Sequence, residues 1–167
     1  FVTSNAWDFL ITYERHSVSD RVRLYYRDES ITKVIPSLET NACAFKEIWV
    51  QWPQRLTPEL FEDLFLALQG NKTVTQLQVG PASLRDKETQ DFATMLCVNQ
   101  TLQSVDFGFD LEASHLVVVF DALSKNTVLA QLALGICHFN AHAFSAFLNM
   151  LTVNNTLTSL CYERSVE

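Results

Sequence analysis

Asn99-Gln100-Thr101-Leu102-Gln103-Ser104-Val105-Asp106-Phe107-Gly108 recurs, with substitutions, at three other places in the chain. The copies are Asn71-Lys72-Thr73-Val74-Thr75-Gln76-Leu77-Gln78-Val79-Gly80, Asn126-Thr127-Val128-Leu129-Ala130-Gln131-Leu132-Ala133-Leu134-Gly135 and Asn154-Asn155-Thr156-Leu157-Thr158-Ser159-Leu160-Cys161-Tyr162. The leading asparagines, Asn71, Asn99, Asn126 and Asn154, mark a period of about 28 residues, within the range of known solenoid repeats. Each is followed by an apolar residue at +3, +6 and +8. The last two of those positions lie on one face of a short strand, and the residues beside them lie on the other. A fainter copy precedes these, because Phe45, Ile48 and Val50 stand one period before Val74, Leu77 and Val79. Val22 and Leu24, slightly less than a period before Ile48 and Val50, make a divergent first copy.

Between the strand segments the pattern is helical. Counted back from each asparagine, −3 holds Leu68, Leu96, Leu123 and Leu151, and −4 holds Ala67, Met95, Ala122 and Met150. Position −7 holds Leu64, Phe92, Val119 and Phe147. Offsets of three and four share a helix face. Thr57-Pro58 supplies an N-cap and a first-turn proline, and Asp86 and Asn140 are placed to cap later helices. Gly80, Gly108 and Gly135 each follow the last apolar strand residue, where a turn out of the sheet is expected to use glycine's freedom. The asparagines fall just past each helix, where a left-handed residue is expected to end it.

One strand and one helix in every period of roughly 27–29 residues predict an α/β solenoid. Parallel strands are expected near residues 46–50, 75–79, 103–107, 130–134 and 158–162, joined by right-handed crossovers. The bulkier helices line the convex side, so the strands face inward on a concave surface. The whole of 1–167 is read as a single domain. Residues 1–41 form an N-terminal cap or divergent first repeat, and 42–167 form regular repeats, the last incomplete. Leu157, Leu160 and Tyr162 have no following helix to cover them. The chain is therefore expected to continue, or that edge to dock on a partner such as another copy of itself. The start at Phe1, without a Met or an apolar leader, reads as a piece of a longer protein.

The L-x-x-L-x-L pattern of Val74/Leu77/Val79, Leu102/Val105/Phe107, Leu129/Leu132/Leu134 and Leu157/Leu160/Tyr162 resembles the leucine-rich repeats of the ribonuclease-inhibitor type. Such repeats also form the tails of nucleotide-binding innate-immune receptors. That family places asparagine or cysteine three residues after the last strand position, a slot filled here by Cys137 but by Asp110 and Ala82 in other units. The resemblance covers roughly residues 42 to 162 and implies a horseshoe segment that binds proteins.

Composition bounds the function. The chain is 48% apolar and 19% charged, which suits a packed core rather than a disordered segment. Its net charge of −7 and the absence of a Lys/Arg run weigh against nucleic-acid binding. No apolar run is long enough to cross a bilayer. No P-loop, nucleophile elbow or H-E-x-x-H appears, so no enzyme activity and no cofactor are expected. Cys137, His138 and His142 lack a clean fourth ligand, and no metal site is expected.

Cys43, Cys97, Cys137 and Cys161 fall in separated parts of the repeat. They are expected to be free thiols, which favours a cytoplasmic compartment without excluding a secreted one. Asn71, Asn99 and Asn154 begin N-x-T sequons. All three share one repeat position with a structural task, so the sequons read as incidental.

The functional expectation therefore rests on the strand face. Between the inward apolar residues lie Glu47, Trp49 and Gln51, then Gln76 and Gln78, Ser104 and Asp106, Gln131 and Ala133, and Ser159 and Cys161. Trp52 adjoins them in the following loop. Another protein is expected to bind there, with Trp49, Gln51, Trp52, Gln76, Gln78, Ser104, Asp106 and Gln131 as contacts. Trp49 and Trp52 could instead be covered by an N-terminal cap carrying Trp7, Phe9 and Tyr13. The settings open at this point are an immune-type receptor tail, a ubiquitin-ligase substrate adaptor, a GTPase activator, an actin regulator and a secreted binding protein.

Overall fold

A computed structural model describes residues 21–25, 28–43, 45–51 and 57–164. Strand and helix alternate without a break: β1 Arg21–Tyr25, α1 Asp28–Glu39, β2 Glu47–Gln51, α2 Pro58–Gln69, β3 Gln76–Ser83, α3 Asp86–Val98, β4 Ser104–Asp110, α4 Ala113–Lys125, β5 Gln131–Cys137, α5 Ala141–Val153 and β6 Ser159–Arg164. The strands form one sheet in the order β1-β2-β3-β4-β5-β6, every pairing parallel. This is the leucine-rich-repeat solenoid read from the sequence. The divergent first copy is in register, with Val22 opposite Ile48 and Leu24 opposite Val50. Parallel strands repeat at about 4.8 Å whereas packed helices need about 8–10 Å, so the strand face is the inner, concave one.

The register of the apolar slots makes the core. Ile48, Leu77, Val105 and Leu132 are cross-strand neighbours and are almost wholly buried, as are Leu64, Leu68, Phe92, Leu96, Val119 and Leu123 on the helices. Phe65, Phe92 and Phe107 meet at its centre, the last two with ring centroids 4.1 Å apart. Strands β3 to β6 are launched alike. The Lys46 carbonyl accepts from the N–H groups of Thr75 and Gln76, the Thr75 carbonyl from Gln103 and Ser104, the Gln103 carbonyl from Ala130 and Gln131, and the Ala130 carbonyl from Thr158 and Ser159.

Three local expectations are corrected. The strands β2 to β6 each begin one residue later than expected and run further, so Gly80, Gly108 and Gly135 lie inside strands. None of the described glycines has a positive φ. At Gly80 and Gly135 the pairing instead slips by one residue, between Val79 and Ala82 in β3 and between Leu134 and Ile136 in β5. A bulge bends and twists the strand without a left-handed residue.

The asparagines do not take the left-handed conformation either. Asn99, Asn126 and Asn154 have φ of −67, −75 and −80 with extended ψ. They act through their side chains. The Asn99 Oδ1 accepts from the N–H of Thr101 at 2.8 Å and of Leu102 at 2.7 Å, while its amide donates to the Leu68 carbonyl one rung back. Asn71 bridges to Leu38, Asn126 to Leu96 and Asn154 to Leu123 in the same way. The result is a ladder that ties each rung to the C-terminal end of the helix one rung back, bringing a side-chain donor to one of its last carbonyls. Among the described non-glycine residues only Asn41, after α1, has a positive φ, 55°.

Helix starts vary. Thr57 and Pro58 open α2 as expected, and Asn140 caps α5 by accepting from the Ala143 N–H at 2.8 Å. Asp86 is the first residue of α3 rather than its cap. The N-cap is Arg85, whose N–H donates to the Glu88 carboxylate at 2.9 Å.

Candidate protein-binding face

The parallel register brings the non-core strand residues into two rows. One row reads Glu47, Gln76, Ser104, Gln131, Ser159, and the other Trp49, Gln78, Asp106, Ala133, Cys161. The alternation of side chains along each strand puts both rows on the face opposite the helices. Gln76, Asp106 and Gln131 are exposed, while Trp49, Gln78 and Ser104 are half-buried. Gln51 ends β2 beside this surface, and its side chain is not among the described ones. Trp52 lies outside the described residues, as do Trp7, Phe9 and Tyr13 of the expected cap.

The rows are knitted from rung to rung. The Gln78 amide donates to the Asp106 carboxylate at 3.1 Å, and the Ser104 hydroxyl to Gln131 Oε1 at 3.5 Å. Loss of surrounding water raises the Asp106 carboxyl above its usual range. The surface thus offers amides, hydroxyls, the two acids Glu47 and Asp106, and one indole, which is equipment for recognition. Among the described residues, no three His, Cys, Asp or Glu gather as a metal would require. Cys137 is buried at the end of β5, where burial pushes its thiol up to about 11. All four cysteines are free, Cys161 exposed in the row that begins at Trp49 and Cys43 buried.

Two features escape a reading of the sequence. His115 on α4 is buried against α3, with Nε2 3.0 Å from Asp86 Oδ1. Its position two residues into a helix, one repeat after Asp86, is visible only once the rungs are stacked. The second is the apolar surface of α5, where Phe144, Leu148 and Leu151 are about half exposed (52%, 48% and 51%). The absence of Asp, Glu, Lys and Arg from all 13 residues of that helix was its available signal.

No protein-family model and no curated protein sequence matches the chain. Solved structures do. The fold is similar to that of leiomodin-1 actin-binding site 2, at 21% identity, with a TM-score of 0.68 over 80% of this chain and 79% of that one. It is also similar to the tropomodulin C-terminal domain of Caenorhabditis elegans, at 12% identity, with a TM-score of 0.69 over 81% of this chain and 84% of that one. At these identities the likeness establishes the fold. It also corrects the subclass suggested by the L-x-x-L-x-L pattern, because these neighbours are not ribonuclease-inhibitor-type repeats or immune-receptor tails. The physical reason is that the pattern encodes the strand and its core contacts, which all such solenoids share. The slot that should distinguish the subclass, Ala82, Asp110 and Cys137, here lies within lengthened strands.

Among the described residues no helix is long and apolar enough to cross a membrane.

Proposed function

We propose that this chain is a non-catalytic protein-interaction module, that its strand face takes the partner, and that the partner is actin. The observation that carries the reading is the shared fold over 80% of the chain with a domain described as an actin-binding site. The strand face supports it chemically. Its exposed centre, Gln76, Asp106 and Gln131, bears one charged group among amides, and it is flanked by a half-buried tryptophan of the kind that anchors interfaces. Among the described residues of this face, none favours GTPase activation or ubiquitin-ligase recruitment. The free cysteines and the burial of Asn71 and Asn99 support a reducing compartment, in line with the expectation from sequence.

Two binding assays test it: cosedimentation with actin filaments, and fluorescence titration of monomeric actin. Binding to at least one form is expected, and Gln76→Arg with Gln131→Arg should weaken it about tenfold, or about 1.4 kcal/mol. Absence of binding to both forms overturns the choice of partner. Binding that ignores both substitutions overturns the choice of face.

A further inference from the structure

We propose that Asp106 is the anchor for an arginine side chain of the protein that the strand face binds. The inference rests on the strand face being the partner's site, and it names what the partner brings there. Asp106 stands in the middle of its row, between Gln78 on β3 and Ala133 on β5. Neighbouring strands lie about 4.8 Å apart, so both neighbours are within reach of its carboxylate. Only one of them is polar. The Gln78 amide donates to Asp106 Oδ2 at 3.1 Å and draws the carboxylate toward β3. Among the described residues, none donates to Oδ1. On the β5 side Ala133 presents only a methyl group, and Gly108, the next residue of β4 on the same face, presents no side chain. An exposed carboxylate oxygen is thus left with room beside it for a side chain from outside.

The surroundings of that oxygen select a cation. Among the described strand-face side chains of β2 to β6, Glu47 and Asp106 are acids and none is a base. On the helices several acids are met by bases: Asp121 by Lys125 at 2.7 Å, Asp91 by Lys87 at 3.3 Å, and Glu88 by Arg85. Asp106 has a neutral amide in that place. Loss of water raises its carboxyl, and no neighbouring cation offsets the rise. A cation brought by the partner would, because an opposite charge at contact distance favours the ionised form. Hydrogen bonding then selects a guanidinium. Gln78, its amide nitrogen committed to Asp106, keeps its carbonyl oxygen as an acceptor, and Ser104, donating to Gln131, keeps the lone pairs of its hydroxyl. A ligand that meets these acceptors and Oδ1 together needs several donors, no acceptor and a positive charge. Arginine carries five N–H donors in one plane, whereas the lysine ammonium gathers its three at a point. Pairing with a carboxylate already short of water also makes the contact stronger than one on an open surface.

Two titrations of the full chain test this, and the first needs no actin. N-acetyl-arginine amide, raised to about 50 mM, should move the side-chain amide resonance of Gln78 along a saturable curve. N-acetyl-citrulline amide, similar in shape but uncharged, should not, and neither compound should move it in Asp106→Asn. The second titration measures actin affinity. Asp106→Asn should weaken it about tenfold and flatten its dependence on salt, and Asp106→Lys should weaken it roughly a hundredfold. Asp63→Asn removes the same charge from an exposed position on α2 and should change neither affinity nor salt dependence. Thermal melts check that each variant is folded, and Asp106→Asn should melt no lower than the parent, so that lost affinity is not lost fold. An arginine amide that leaves Gln78 unmoved, or a citrulline amide that moves it equally, overturns the proposal. Actin binding indifferent to both Asp106 variants overturns it as well. A chain that binds neither form of actin overturns the choice of actin alone, and the arginine titration then decides the proposal.

Discussion

Asn99 is 1% exposed and holds three backbone groups at once, the N–H of Thr101, the N–H of Leu102 and the carbonyl of Leu68. Removing it leaves the N–H groups of Thr101 and Leu102 without that acceptor, while the Leu68 carbonyl keeps the Asn71 N–H, and each buried unmet polar group costs roughly 1–3 kcal/mol. Asn99→Ala should therefore destabilise the chain by about 2–4 kcal/mol in urea melts. A loss under about 0.5 kcal/mol would mean that the ladder bonds are replaced by water. The same geometry explains the sequons. The amide nitrogen that would carry a glycan at Asn71 or Asn99 is already donating inside the protein. Spacing reveals that an asparagine is required here. It does not reveal whether the backbone angle or the side chain is what the position needs, because both explanations predict the same residue. Asp106 gives a test in pH. Its folded carboxyl is raised, so its protonated form is favoured in the fold; that contribution is present at low pH and lost as pH rises through the folded value. Asp106→Asn removes the ionisation while keeping an acceptor for Gln78. Its melting temperature should exceed that of the parent at neutral pH, with the difference shrinking toward about pH 4. An identical gain at both pH values would assign the effect to something other than that proton.

At the level of strands and helices, the same slot has a different worth depending on its neighbours. Leu132 is 2% exposed between β4 and β6, while Leu160, its partner on β6, is only partly buried. Leu132→Ala should cost about 2–5 kcal/mol, and Leu160→Ala distinctly less. Equal losses would show that the outer strand is covered in solution. Strand starts are legible to within one residue because apolar alternation marks them. Strand ends are not, because a bulge inserts a residue that obeys no side-chain period, as at Gly80 and Gly135. The α5 stripe reads as core in the sequence for a related reason. Periodicity reports the face a helix would bury, and says nothing of whether anything lies against it.

For the molecule as a whole, the solenoid is legible because five units agree at several positions, and agreement between levels of pattern is what specifies a fold. The subclass is not, since Val74/Leu77/Val79 and its counterparts report contacts that every stack of this type makes. The strand face is legible as a row of residues, but its cross-rung bonds, Gln78 to Asp106 and Ser104 to Gln131, follow from rotamers no spacing encodes. The asparagine ladder has one more consequence, a mechanical one. Each of its links joins a rung to the one before it and to nothing further along, so the links lie in series. Stretched between its ends, the chain should give way as a zip does, one unit at a time, rather than in a single rupture. Single-molecule pulling should then trace a sawtooth in which each tooth releases one repeat, about 28 residues or roughly 90–100 Å of contour. Asn99→Ala should weaken a single tooth and leave its neighbours' heights alone, and a trace with one tall peak would mean that the rungs yield together.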